Sequence, residues 1–205
     1  MSQPAHKISI LFIFYLLIEL PVTAQYQWKL DKDKDSIKVY LATVPGSAIK
    51  AIKVECTLDG TIDKLIGVIQ NVPLQKEWVY KNKTAYVIKK INADDFYYYT
   101  EASMPWPITN RDAVVHLKII NDSVANLLTI TDTSDPHFIP EKKGKVRVPS
   151  SSIRWLVTSV GPRKISIVYT FEADPGGNLP AWLVNMFADK GPYQSFKKLA
   201  TILEN

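Results

Sequence analysis

Cysteine is almost missing from this sequence: Cys56 is the only one in 205 residues. No intramolecular disulfide can therefore form, and the fold must be held by its core. Cys56 lies in an alternating apolar pattern and reads as a small buried hydrophobe. Histidine is nearly as scarce. His116 and His137, the two beyond the amino terminus, have no partner at metal-ligand spacing, so no metal site is expected. The chain carries no Gly-x-Ser-x-Gly elbow and no phosphate-binding glycine loop. With no nucleophile beside a base and no tuned acid–base pair, no catalytic residue is assigned and no cofactor is expected. Zinc, helix-turn-helix and RNA-recognition motifs are absent too, which argues against nucleic acid despite a net charge of +5. No internal repeat, linker or low-complexity stretch marks a second domain, and nothing indicates more than a monomer.

The amino terminus reads as a secretory signal. His6 and Lys7 give a positive flank, Ile8–Leu20 is apolar apart from Ser9 and Glu19, and Val22-Thr23-Ala24 offers small residues for cleavage. The apolar run is shorter than the roughly 20 residues of a bilayer span. The expected organisation is a signal peptide at 1–24 and one domain at 25–205, exported to the periplasm or secreted after cleavage near Ala24. The alternative is retention of the segment as an anchor. The remaining positive charge, Lys+Arg 25 against Asp+Glu 20, is scattered among apolar and acidic neighbours. It suits a solvated basic face, or transient contact with an anionic membrane surface.

Apolar residues alternate with polar ones through most of the chain, as half-buried strands require. In 164–174, Ile165, Ile167, Tyr169, Phe171 and Ala173 share one face, and only Val168 spoils the other. The same period predicts strands around Ile37–Leu41, Ile52–Leu58, Ala85–Ile91, Asp95–Ala102, Ala113–Asp122, Val124–Thr131 and Ile153–Val157. So many one-sided strands imply a large antiparallel sheet. Two segments change period. Ile62, Leu65, Ile66 and Ile69 repeat at helical spacing, and Pro73 stops that helix. After Pro175-Gly176-Gly177-Asn178, an apolar stripe of Trp182, Met186, Tyr193, Phe196, Ala200 and Leu203 predicts a long carboxy-terminal helix, kinked at Gly191-Pro192. The fold class is α+β: a curved antiparallel sheet wrapped around that helix. The space between them would be either filled with side chains or left as an internal hydrophobic cavity.

Met104-Pro105-Trp106-Pro107-Ile108-Thr109-Asn110-Arg111-Asp112 resembles the Pro-Trp-Pro…Arg-Asp segment of START domains, the lipid-transfer domains related to the steroidogenic acute regulatory protein. The run Gly176–Asn185, continued by Gly191-Pro192-Tyr193, resembles that family's approach to its last helix, and Trp78 sits where the family has a tryptophan. The resemblance spans Trp28 to Leu203. It implies a helix-grip fold, a hydrophobic tunnel, a bound lipid or other hydrophobic small molecule, and a lid made by the last helix with a nearby loop, here Asp132–Pro149. The family's cholesterol-binding members carry a buried acidic–basic pair whose basic member lies six residues past the motif arginine. This sequence has Leu117 there, so cholesterol binding does not carry over.

The candidate lipid-binding residues are Trp78, Tyr97, Tyr99, Glu101, Trp106, Arg111, Trp155, Tyr169, Phe171, Trp182 and Met186. Trp106, Trp155, Tyr169, Trp182 and Met186 form the inward set from which a cavity would be built. Tyr97, Tyr99 and Glu101 share one strand face, either inside the tunnel as polar handles or outside it. Arg111 and Asp112 are adjacent on a strand, so one of them should face solvent; the pair either cradles a head group or ties the Pro-rich turn to the sheet. Two other functions compete with lipid binding: a non-catalytic interaction module with a filled tunnel, and, less favoured, a helix-grip enzyme acting on a polyketide- or sterol-like substrate.

Overall fold

The period-two segments assemble into one sheet. The structure is a computed structural model that describes residues 26–205, so the expected signal segment and its cleavage near Ala24 lie outside the described residues. The strands are β1 (Lys29–Lys34), β2 (Ile37–Thr43), β3 (Lys50–Asp59), β4 (Asn82–Lys90), β5 (Asp95–Ala102), β6 (Arg111–Asp122), β7 (Leu127–Ser134), β8 (Val146–Arg147), β9 (Ser150–Gly161) and β10 (Lys164–Asp174). They run in the order β1-β2-β3-β10-β9-β7-β6-β5-β4, and β8 pairs in parallel with the start of β6. Neighbours along the main path are antiparallel, so residues in register share a face.

Register fixes the inner face. Val157, Trp155 and Ile153 of β9 stand opposite Ile167, Tyr169 and Phe171 of β10 on one side and Leu128, Ile130 and Asp132 of β7 on the other. Those three β7 residues lead on to Asp122-side and central positions of β6, where Leu117 pairs with Asp132. Cys56 faces inward on β3 and is buried, and burial pushes its thiol up to about 12.

The first helix, α1 (Ile62–Gln70), begins where Thr61 Oγ1 accepts the Lys64 amide at 3.2 Å, and it buries Leu65, Val68 and Ile69. A 3-10 turn at Val72–Leu74 contains Pro73 and leads into the single turn α2 (Gln75–Trp78), whose Gln75 and Trp78 are buried. At the carboxyl end, α3 (Ala181–Asn185) and α4 (Lys190–Glu204) are separate helices. Tyr193, Phe196, Leu199 and Leu203 are the buried stripe of α4, each contributing about 2 kcal/mol of apolar burial. The helix closes on the sheet at Gly60, where a Cβ would stand 3.1 Å from Leu203 Cβ. The β1–β2 hairpin turns at Asp35 and Ser36, both at positive φ, and clasps the helix. Tyr193 donates its hydroxyl to Asp35 Oδ2 at 2.6 Å, Lys197 pairs with the same oxygen at 2.9 Å, and Lys32 pairs with Asp189.

Three expectations change. The helix breaks at Met186–Asp189, ahead of Gly191-Pro192. Pro192 lies in the first turn of α4, where its missing amide removes no helical hydrogen bond. Val124 belongs to the β6–β7 turn and is 98% exposed, and β7 instead runs on to Ser134. The segment read as a lid, Asp132–Pro149, is in part strand (the end of β7, and β8), and its middle lies on the outer face of β5 and β6. There Phe138 stacks on Tyr97 at 3.9 Å, and Lys142 sits 3.8 Å from the centre of the Tyr99 ring. A second layer over the outer face was not expected from a sheet with one solvated side.

Candidate functional site

The space enclosed by the sheet, α2 and α4 holds four aromatic rings in contact. Trp155 packs edge-on against Trp78 (6.3 Å between centroids) and Tyr169 (4.8 Å), and Phe196 of α4 lies 5.2 Å from Trp155 and 5.3 Å from Tyr169. Cover on the inner face is graded. Ile165, Ile167, Val157, Leu128 and Ile130, at the α4 end, have no exposed surface, whereas Ile153, Tyr169, Phe171 and Ala173, toward α3, are half-buried. The reason lies in the helices: α4 lays a continuous apolar stripe over its end, and α3 buries none of its own residues. Asn185 holds α3 to the β2–β3 loop through Ala48 O (3.0 Å) and the Lys50 amide (3.1 Å).

A polar cluster sits within this apolar enclosure. Asp132 is 7% exposed, its Oδ1 has no hydrogen-bond partner, and no cation among the described residues lies within ion-pair distance. Burial pushes its carboxyl up to about 7. Tyr98 and Tyr169 share the inner face with it, and their hydroxyls are raised well above the usual phenol value, by burial first and then by the Asp132 charge. Gln75 of α2 is also buried. Trp78 Nε1 is a second buried polar atom of this enclosure with no partner among the described residues. A buried polar atom that lacks a partner costs about 1–3 kcal/mol, so each such atom calls for a reason.

Among the residues expected to line a site, Trp78, Trp155, Tyr169 and Phe171 meet on the inner face. Arg111 is also buried there, at the α3 end. Its guanidinium binds Thr109 O and, at 3.4 Å, Gly176 O, which ties the Pro-rich turn to the run before α3. The others are elsewhere. Tyr97, Tyr99 and Glu101 are on the outer face, because Tyr98 occupies the inner position of β5. Tyr97 is sandwiched between His116 (4.1 Å) and Phe138, and His116 Nε2 contacts Asp95 at 2.6 Å. Glu101 is bound by Asn110 and Lys145 at 2.9 Å; burial alone would raise its carboxyl, but these partners and Lys83 hold it below the usual value. Trp106 (93% exposed), Trp182 (67%) and Met186 (54%) stand in solvent, outside the inward set expected of them.

Neither Arg111 nor Asp112 faces solvent. Asp112, on the outer face, is covered by the 135–145 loop and held by Arg147, at 2.9 Å to Oδ1 and 3.2 Å to Oδ2. Arg147 also donates to the carbonyls of Pro136, Ile139 and Pro140, so one guanidinium anchors the whole loop. Asp132, Tyr98, Gln75 and Arg147 escaped the sequence reading. Asp132 had a signal: in Leu128-Ile130-Asp132 it continues the apolar face of a strand, where a carboxylate is out of place.

Two open pockets lie outside the enclosure. One of about 570 Å³ is bounded by Tyr26, Lys29, Leu41 and Lys50. The other, about 330 Å³, runs under Tyr26 and Trp28 across Arg154, Leu156, Val168 and Thr170. The second explains the apolar Val168 on the polar side of β10: the chain before β1 covers it.

Comparison with known proteins places this geometry. The family model of the START domain matches residues 15–205. An uncharacterized Pseudomonas aeruginosa protein is 33% identical over 86% of this chain and 87% of its own length. The phosphatidylcholine transfer protein of Bos taurus is 26% identical over 92% of this chain and 89% of its own. The crystal structure of a STAR-related lipid transfer protein from Xanthomonas axonopodis superposes with a TM-score of 0.80, at 29% identity, over 87% of this chain and 99% of that one.

Proposed function

The chain belongs to the START domain family, and on that premise we propose that it binds a lipid between the sheet and the carboxy-terminal helices and carries it between membranes. The observation that carries the reading is the graded inner face: apolar apart from the Asp132 cluster and Arg111, sealed under α4, and half-open beneath α3. Exposed apolar residues support it. Trp106, Trp182 and Met186 are large, apolar and exposed, and the chain's net charge is positive, which favours an anionic surface. The moving part in this reading is α3, pivoting at Met186–Asp189, with α4 held by the hairpin clasp. The expected chemistry is binding without catalysis.

Transfer of labelled lipid between donor and acceptor vesicles tests the proposal. Transfer above the spontaneous rate is expected, and a cross-link between α3 and the β2–β3 loop should abolish it. A rate equal to the blank would overturn the carrier reading. The four touching rings favour a second reading, an interaction module whose interior is filled by its own side chains. That protein would take up no lipid from any vesicle.

The export reading rests on the apolar run Ile8–Leu20 and the small residues before Gln25. Amino-terminal sequencing of the protein from its host should begin near Gln25; an intact Met1 in the membrane fraction would replace export with anchoring.

A further inference from the structure

Asp132 Oδ1 and Trp78 Nε1 have no partner among the described residues inside an apolar enclosure, one an acceptor and the other a donor. They belong to one neighbourhood: Trp78 packs on Trp155, Trp155 is in register with Ile130 of β7, and Asp132 is the next residue along the same face of β7. From the other side, Gln75, one turn before Trp78, is buried, and Tyr98 shares the inner face with Asp132 across Val115 and Leu117 of β6. We infer that Asp132 and Trp78 form a head-group subsite for an uncharged lipid alcohol, whose hydroxyl donates to the carboxyl and accepts from the indole. The inference rests on the lipid-binding reading and narrows it.

A hydroxyl is the simplest head that answers both atoms at once. A trimethylammonium head fits less well. It accepts no hydrogen bond, so the indole would stay unpaired, and recognition by aromatic rings needs the cation among their faces. The rings around Trp155 already touch, at 4.8–6.3 Å between centroids. A phosphate would satisfy the indole but bring further negative charge to a carboxyl that has no cation within ion-pair distance among the described residues. An alcohol brings no charge into the enclosure.

The test uses the full chain and vesicles of phosphatidylglycerol and phosphatidylethanolamine. They contain equal traces of dioleoylglycerol, its acetate ester (the same chains with the hydroxyl capped) and dioleoyl phosphatidylcholine. Lipid that leaves with the protein is counted by mass spectrometry. The wild type should take the alcohol over its acetate by about tenfold, the worth of one buried hydrogen bond. Asp132→Leu should bring that ratio close to one, Asp132→Asn, which keeps an acceptor, should preserve most of it, and Trp78→Phe should lower it several-fold. Circular dichroism first confirms that each variant is folded; if Asp132→Leu is not, the Asp132→Asn and Trp78→Phe ratios decide. Equal uptake of alcohol and acetate, a preference for phosphatidylcholine, or an unchanged ratio in Asp132→Leu overturns the alcohol subsite and leaves lipid binding standing. Uptake of none of the three overturns both.

Discussion

Replacing Asp132 by Asn isolates the cost of burying its carboxylate. The side chain keeps its size and one acceptor but loses its charge. In the folded protein the carboxyl titrates at about 7 against an ordinary 3.8. Between those values the folded state holds a proton that the unfolded chain has released. Stability therefore falls as pH rises from about 4 to about 7, is flat above, and is unaffected by this group below. A shift of about three units corresponds to about 4 kcal/mol at most, at 1.36 kcal/mol per unit. Asp132→Asn should accordingly be more stable than the wild type by about 2–4 kcal/mol near pH 8 and equal to it within about 1 kcal/mol near pH 4.5. Urea unfolding followed by tryptophan fluorescence at both pH values reads the difference, and groups that titrate alike in both proteins cancel. Tyr98 and Tyr169 stay neutral at both pH values because their own titrations are moved upward. A stability difference that does not change with pH would refute the reasoning.

Arg147→Met should destabilise the fold by about 3–5 kcal/mol, because it strands the buried Asp112 carboxylate, and limited proteolysis should then cut within 135–145. Gly191→Ala with Pro192→Ala should leave lipid transfer at the wild-type rate, since Pro192 lies in the first turn of α4 and a Cβ on Gly191 meets Tyr80 Cδ1 only at 3.5 Å. Cys56, buried with its thiol raised to about 12, should resist a thiol reagent at neutral pH and react fully in urea. Trp106→Ser with Trp182→Ser should reduce vesicle-dependent uptake several-fold, while moving stability by no more than about 0.5 kcal/mol, because both rings stand in solvent.

Strands were legible wherever one face is apolar. β10 runs as its alternation predicts, β5 spans the residues expected of it, and the α1 stripe falls on Leu65 and Ile69. Strands without that contrast were not. β1 reads Lys-Leu-Asp-Lys-Asp-Lys and is nearly all exposed, so it pairs through backbone alone, and β8 has two residues. The site divides on the same ground. Trp155, Tyr169 and Phe171 follow from the period of their own strands. Tyr97, Tyr98 and Tyr99 do not, because three consecutive tyrosines satisfy either face, and the choice is made by pairing with Val115 of β6. The carboxy-terminal stripe misplaced Trp182 and Met186, since periodicity extends a helix through a break that only the backbone reveals. The loop over the outer face rests on Arg147, Phe138 and Lys142 reaching partners far away in sequence, a kind of contact no local pattern announces.

The lipid held by the protein in its own host is the most direct test of the central claim. Native mass spectrometry of the gently purified protein, followed by extraction and identification, should find one bound lipid per chain. An Asp132→Leu protein prepared the same way should carry less of it, or another. A preparation that carries no lipid, and takes none from vesicles of its host's own lipids, would contradict the account.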